Sequence, residues 1–382
     1  MLKTHGNKPL LYLKALTSSP SPKNPLPFSL HFCTNTSNST SFAVSYLIHN
    51  FGFSPQFASK LSSTYRLHFT TSQNPDLVLR FFKNHGFSDS QLRNMIAKAP
   101  GLLSCNPSKR VLPKFQFLLS KGASESDIVN LVSKGPVILS PSLENHIVPV
   151  YELLYRFLQS DKDTVVCVVQ NPTILSDHRV PQNIRMLIEN GLIDSNIARL
   201  LRKHSKILTT AGILKVVEEV KDLGFDPSGS CFAIALLAKR TVTETRWKEK
   251  VDAFKKWGWS DEDVLQAFRK HPHCMLTSID KINLVMSFWV DELGWDAMAI
   301  AKLPRVLGAS LERRIIPRAY VVQYLLKKGL HKKASLTTPL VVNDKLFLDR
   351  YIKHYKEESS YLLKLYEQKL NLAHATDKTD MS

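Results

Sequence analysis

The sequence repeats itself with a period of about 36 residues, and that period limits the folds open to it. Residues 79–114 read LRFFKNHGFSDSQLRNMIAKAPGLLSCNPSKRVLPK, and residues 115–150 read FQFLLSKGASESDIVNLVSKGPVILSPSLENHIVPV. Gly86 returns as Gly122, Pro100 as Pro136 and Pro172, Leu103 as Leu139 and Leu175, and Pro113 as Pro149, each at a step of 36. The step then shortens to 33 or 34 through Gly191, Gly224 and Gly258. Pro272 and Pro304 carry the motif onward, with Leu307 and Pro317 behind the latter. A degenerate copy, SYLIHNFGFS, precedes the array at 45–54, and a partial unit with Gly329 and Pro339 follows it. About eight to nine units fill residues 41–350. In such an array no unit buries its apolar stripe alone, so neighbours must stack.

The physics inside one unit predicts two helices. Leu79, Phe81 and Phe82 lie on one helical stripe, and Gly86 stands just past its end, where left-handed geometry favours glycine. Ser88 opens a second helix with Gln91 at the reciprocal capping position. Ser124 with Asp127, Ser160 with Asp163 and Ser260 with Asp263 are the equivalent starts. The first proline ends that helix, because the residue before proline is disfavoured in helical geometry. The second proline is expected to open the first helix of the next unit. Ser205 and Ala238 replace the first proline in two units, which predicts a longer or less sharply ended second helix there. No alternating pattern is long enough for a sheet. The fold class is therefore an all-α superhelical solenoid of tandem repeats over 41–343, followed by a C-terminal helical cap and tail over 344–382.

The recurring Pro100/Leu103/Pro113, Pro136/Leu139/Pro149 and Pro304/Leu307/Pro317 resemble the repeat of the mitochondrial transcription termination factor (mTERF) family. FAVSYLIHNFGFSPQFASKLSS at 42–63 and LERRIIPRAYVVQYLLKKGL at 311–330 resemble the opening and the C-terminal signature of its plant organellar branch. The resemblance covers roughly residues 41 to 350. It implies a helical superhelix with a basic groove, organellar targeting, and nucleic-acid binding in transcription termination, transcription control or intron splicing.

Charge is unevenly placed along the chain. Lys and Arg number 51 against 33 Asp and Glu, a formal net charge of +18, which points to a polyanionic partner. The first acidic residue is Asp76; before it stand Lys3, Lys8, Lys14, Lys23, Lys60 and Arg66. Residues 1–40, free of acid and rich in Ser, Thr, Asn and Pro, read as an organelle transit peptide, mitochondrial or alternatively chloroplast. Between 301 and 333, nine cations (Lys302, Arg305, Arg313, Arg314, Arg318, Lys327, Lys328, Lys332 and Lys333) face Glu312 alone. Arg313, Arg314 and Arg318, with Arg305 and Lys302 beside them, are expected to grip phosphates, since the planar guanidinium can bond a phosphate twice. A second set comes from register: Lys98, Lys134, Lys203, Lys270 and Lys302 each stand two residues before the first-proline position. Stacked repeats would align them into a row along a nucleic-acid backbone. The competing explanation is that a cation in a helix's last turn is favoured by the dipole, at about 0.3–1 kcal/mol.

Other chemistry is not suggested. The five cysteines, Cys33, Cys105, Cys167, Cys231 and Cys274, are scattered and form neither a disulfide framework nor a zinc pattern. His271-Pro272-His273-Cys274 packs three donors too closely in sequence to close a tetrahedron. Most aromatics sit on the apolar stripes; Trp257 and Trp259, flanking Gly258, are candidates for base stacking. No phosphate-binding loop, dinucleotide fingerprint or hydrolase motif occurs, so neither catalysis nor a cofactor or metal is expected. The expected partner is double-stranded DNA, or alternatively structured RNA, bound by a monomer without a membrane. A helical protein-interaction scaffold of another repeat class is the rival reading.

Overall fold

A computed structural model describes residues 41–331 and 336–379. The transit-peptide segment 1–40, and Lys332 and Lys333 of the basic cluster, lie outside the described residues. The chain divides into two compact units between Leu214 and Lys215. Among the described residues every regular element of both is a helix.

Each repeat follows one local plan. Ser88 accepts a hydrogen bond from the Gln91 amide, and the Gln91 side chain accepts one from the Ser88 amide, so two orphan donors of the helix Asp89–Lys98 are satisfied. Ser124 with Asp127 and Ser260 with Asp263 form the same box. The serine bonds hold both aspartates below the usual carboxylate range. At Ser160 the hydroxyl also caps, accepting from the Asp163 amide. Each such cap contributes about 1 kcal/mol. Leu92, Met95 and Ile96 form the buried stripe of Asp89–Lys98, and the 3₁₀ turn Pro100–Ser104 then buries Pro100, Leu102 and Leu103. The repeat glycines have positive φ, for example 86° at Gly122 and 84° at Gly258. In the repeat that follows Gly122 the same left-handed position falls on Gln159, at φ 53°.

The second proline of the unit stands where a helix opens, as expected: Pro113, Pro149 and Pro317 are the second residues of the helices Leu112–Ser120, Val148–Leu158 and Ile316–Lys327. Ahead of Pro149 and Pro317 the chain adds a capped turn: Ser142 and Ser310 cap the π turns Leu143–Ile147 and Leu311–Ile315, which lead directly into those helices. In those turns the amides of Ile147 and Ile315 reach back five residues, to the carbonyls of Ser142 and Ser310. Proline has no amide hydrogen and its ring crowds the carbonyl four residues back; the wider turn ahead of it accommodates both defects. Asn106 plays the capping part ahead of Pro113.

The two units without a first proline behave differently from each other. At Ser205 the helix Asp194–His204 stops as sharply as elsewhere, and the 3₁₀ turn Ser205–Thr209 forms without proline. Ser205 is buried and bonded to the Cys167 thiol. At Ala238 the expected continuation is seen: Phe232–Thr241 runs through it, and the next helix, capped by Thr243, begins at Glu244.

Polar side chains of the first helices, half-buried at Asn74 and buried at Asn183 and Lys250, tie down these turns. Asn74 donates to the carbonyls of Leu103 and Cys105, Asn183 to those of Leu208 and Thr210, and Lys250 to that of Thr277. Burial lowers the Lys250 pKa. At the end of the array Arg318 performs this task. The segment after Asp344 packs back on the helix Ile316–Lys327, joining Phe347, Ile352 and Leu362 to Val321 and Leu325.

Candidate nucleic-acid interface

In the C-terminal unit, the consecutive turns Pro272–Leu276 and Pro304–Gly308 border a pocket of about 580 Å³. Four stretches of chain supply its polar wall: His271 and His273, then Thr277, Ser278 and Lys281, then Arg305, then Arg314. No carboxylate is on that wall. Each side chain is placed by local structure. His271 precedes Pro272 and is held extended, at φ −151° and ψ 85°. Ser278 caps the helix Ile279–Ser287 by accepting from the Lys281 amide, which seats Lys281 in the first turn. Arg305 follows Pro304 in its 3₁₀ turn, and Arg314 lies in the π turn capped by Ser310.

The electrostatics match the composition of the wall. The two imidazoles lie 5.2 Å apart, centre to centre. Burial, then His273 and Arg305, push the His271 pKa from 6.5 down to about 4. Partial desolvation also lowers that of His273, which stays exposed on one side. Both rings are therefore neutral at pH 7, and the wall's positive charge rests on Lys281, Arg305 and Arg314. The Arg314 guanidinium lies 3.4 Å from the exposed carboxylate of Asp344. Such a wall is built to receive an anion.

The structure brings together Arg305 and Arg314 of the expected phosphate contacts. Arg313 is exposed on the same π turn, and Lys302 is exposed at the end of Met298–Lys302. Arg318 requires a correction. It is fully buried; its Nη1 donates to the carbonyls of Pro339 (3.0 Å) and Val342 (2.7 Å), and its Nη2 is paired with Asp344. Its ring neighbour is Phe347, 4.6 Å from the guanidinium carbon. A guanidinium committed in this way cannot grip a phosphate. His271, His273 and Lys281 were not singled out as contacts from sequence. The signal was present in His271, which stands directly before a repeat proline.

The mTERF family profile matches residues 79–240 and 230–348. The chain belongs to the mTERF family. Within it, the protein called "Transcription termination factor MTERF15, mitochondrial" of Arabidopsis thaliana is 31% identical over 111 residues, which are 29% of this chain and 25% of that protein. The matched stretch thus spans about a quarter of that relative's length.

In this mTERF chain the lysine register is real, but its members differ in use. In the N-terminal unit the Lys98 ammonium donates to the carbonyl of Lys134, 3.1 Å away at the end of the next second helix. That contact is the helix-terminus role expected of a cation there. Lys134 and Lys203 are exposed in the same unit, and Lys270 and Lys302 in the other. The tryptophans are less available for stacking than their position suggested. Trp259 is buried against Phe254, with ring centres 4.5 Å apart, and Trp257 donates to Asn283. Cys274 is buried, and burial pushes its thiol up to about 12, so it stands apart from the exposed imidazole of His273. Among the described residues, no three His, Cys, Asp or Glu converge as metal ligands, and no helix is long and apolar enough to cross a membrane.

Proposed function

We propose that this mTERF protein binds nucleic acid in an organelle, double-stranded DNA in the first instance, and acts by occupancy on transcription or its termination. The observation that carries this reading is the pocket wall of Lys281, Arg305 and Arg314, which has no carboxylate of its own. Family membership and the relative's name support the transcriptional role and a mitochondrial location. Binding as a monomer and without catalysis is part of the same reading.

Affinity on this reading is dominated by phosphates and falls with salt as counterions are released. Mobility-shift series with duplex DNA, single-stranded RNA and structured RNA, each across a salt range, test it. Duplex binding with a steep salt dependence is expected. Reversing both Arg305 and Arg314 to Glu should weaken binding and flatten the log–log salt slope by about 2. Preference for structured RNA would move the protein to intron splicing, and binding to none of the three at low salt would leave a protein-interaction scaffold. Fusing residues 1–40 to a fluorescent reporter separates mitochondrion from chloroplast.

A further inference from the structure

We propose that the pocket between the turns Pro272–Leu276 and Pro304–Gly308 is a site for a single phosphate group carried on a nucleotide, gripped by Arg305 and Arg314 with His271 and His273 as protonatable partners. This deepens the nucleic-acid reading by naming the chemical group that the pocket takes.

Three observations support it. First, the donors converge from turns and helix ends about 30 residues apart in sequence, and every charged group on the wall is a cation. A merely solvated surface would have mixed charges within reach. Asp344, the acid paired with Arg314, is also tied to Arg318. Second, several of the wall's side chains can donate to an anion. The Ser278 oxygen accepts from the Lys281 amide, which leaves its O–H to donate. Arginine and lysine can only donate. Third, about 580 Å³ exceeds what a bare phosphate fills, so there is room for the sugar attached to it.

The histidines give the site a proton linkage. The groups acting on His271 are His273 and Arg305, both opposing its protonation, while Lys281 and Arg314 complete the wall. An anion supplies the countercharge that His271 lacks. Binding is therefore accompanied by proton uptake, and it strengthens as the pH falls from the ligand-raised midpoint toward the free one near 4.

The test uses the full chain and histidine-resolved NMR titrations with three probes: inorganic phosphate, a nucleoside 5′-monophosphate and a dinucleoside phosphodiester. The expected result is that a phosphate probe raises the His271 midpoint from about 4, and that Arg305→Gln abolishes the response. A response to the phosphodiester alone assigns the site to an internal backbone phosphate. A response to the monophosphate alone assigns it to a strand end. No movement with any probe at millimolar concentration, or the same movement with chloride, overturns the proposal. Duplex binding by the H271Q/H273Q double variant is measured alongside. A loss of about tenfold at pH 4.5, and less than about twofold at pH 8, is expected for one charge-assisted hydrogen bond to a His271 whose free midpoint is about 4. Unchanged duplex binding at pH 4.5 would detach the pocket from nucleic acid. A phosphate response in a protein that binds neither DNA nor RNA would sink the functional reading and spare the site. Arg305 is exposed, so its variant reads out the site even if the histidine pair proves structural.

Discussion

Two joints between successive repeats, one in each unit, show how the same plan yields opposite results. In the N-terminal unit the residue before the first proline is Gly135, and a Cβ placed there would lie 2.4 Å from the Cβ of Pro172, the first proline of the next repeat. Backbone and ring are in direct contact, and the joint is closed. In the C-terminal unit the same register position holds His271. Its Nε2 lies 3.9 Å from where a Cβ on Gly308 would stand, and the space beside it is the cationic pocket. One position of the repeat thus sets whether neighbouring turns meet or leave room for a ligand.

The comparison can be broken first at the wall of the pocket. Arg318→Ala removes the donor that holds the carbonyls of Pro339 and Val342 and frees Asp344 from its buried partner. A loss of about 3 kcal/mol is expected from those unsatisfied groups. All five tryptophans lie between Trp247 and Trp295, so denaturation followed by tryptophan fluorescence reports the C-terminal unit alone. A change below about 0.5 kcal/mol, the range of an ordinary surface substitution, would refute the anchoring role.

Next comes the closed joint itself. Gly135→Ala forces a methyl into Pro172 and should cost about 1–3 kcal/mol, as overpacking does. Circular dichroism melts would register it. The counterpart in the open joint, Gly308→Ala, should stay within about 0.5 kcal/mol, because its Cβ meets only an ordinary contact. Equal costs at the two glycines would end the contrast.

Acid sharpens the comparison further. Above pH 6.5 His271 is neutral in folded and unfolded chains alike. Between 6.5 and about 4 the unfolded chain takes up the proton and the folded one does not, so stability falls as the pH falls. His271→Gln should flatten that part of the fluorescence-detected stability curve. His146, lowered in the same direction by burial and His178, continues to act in the other unit and is silent to tryptophan. An unchanged acid limb in the variant would mean that the pocket does not hold His271 neutral.

Much of the architecture could be read from the residues. The serine caps, the left-handed glycines and the proline-ended helices are written within a few positions of where they act, so spacing alone located them. The second proline marked a helix start correctly; what spacing did not show is the capped π turn that leads into it at Pro149 and Pro317. Ser205 misled, since the turn needs a buried small residue there and a thiol partner from Cys167 serves in place of the ring. Of the expected contacts, Arg305 and Arg314 reach one pocket. Arg318, four residues beyond Arg314, points inward to carbonyls more than 20 residues further along the chain.

What the sequence determined by itself was therefore the repeat: where helices begin and end, which stripe is apolar, and that the excess positive charge gathers near the end of the array. Those properties depend on neighbours within one or two turns. Which cations are spent on the fold and which are offered to a ligand was decided only by the tertiary structure. Stacking brings His271 beside Arg305 and sets Arg318 under the 339–342 carbonyls, and contacts between residues 20 to 40 apart leave no mark in local spacing.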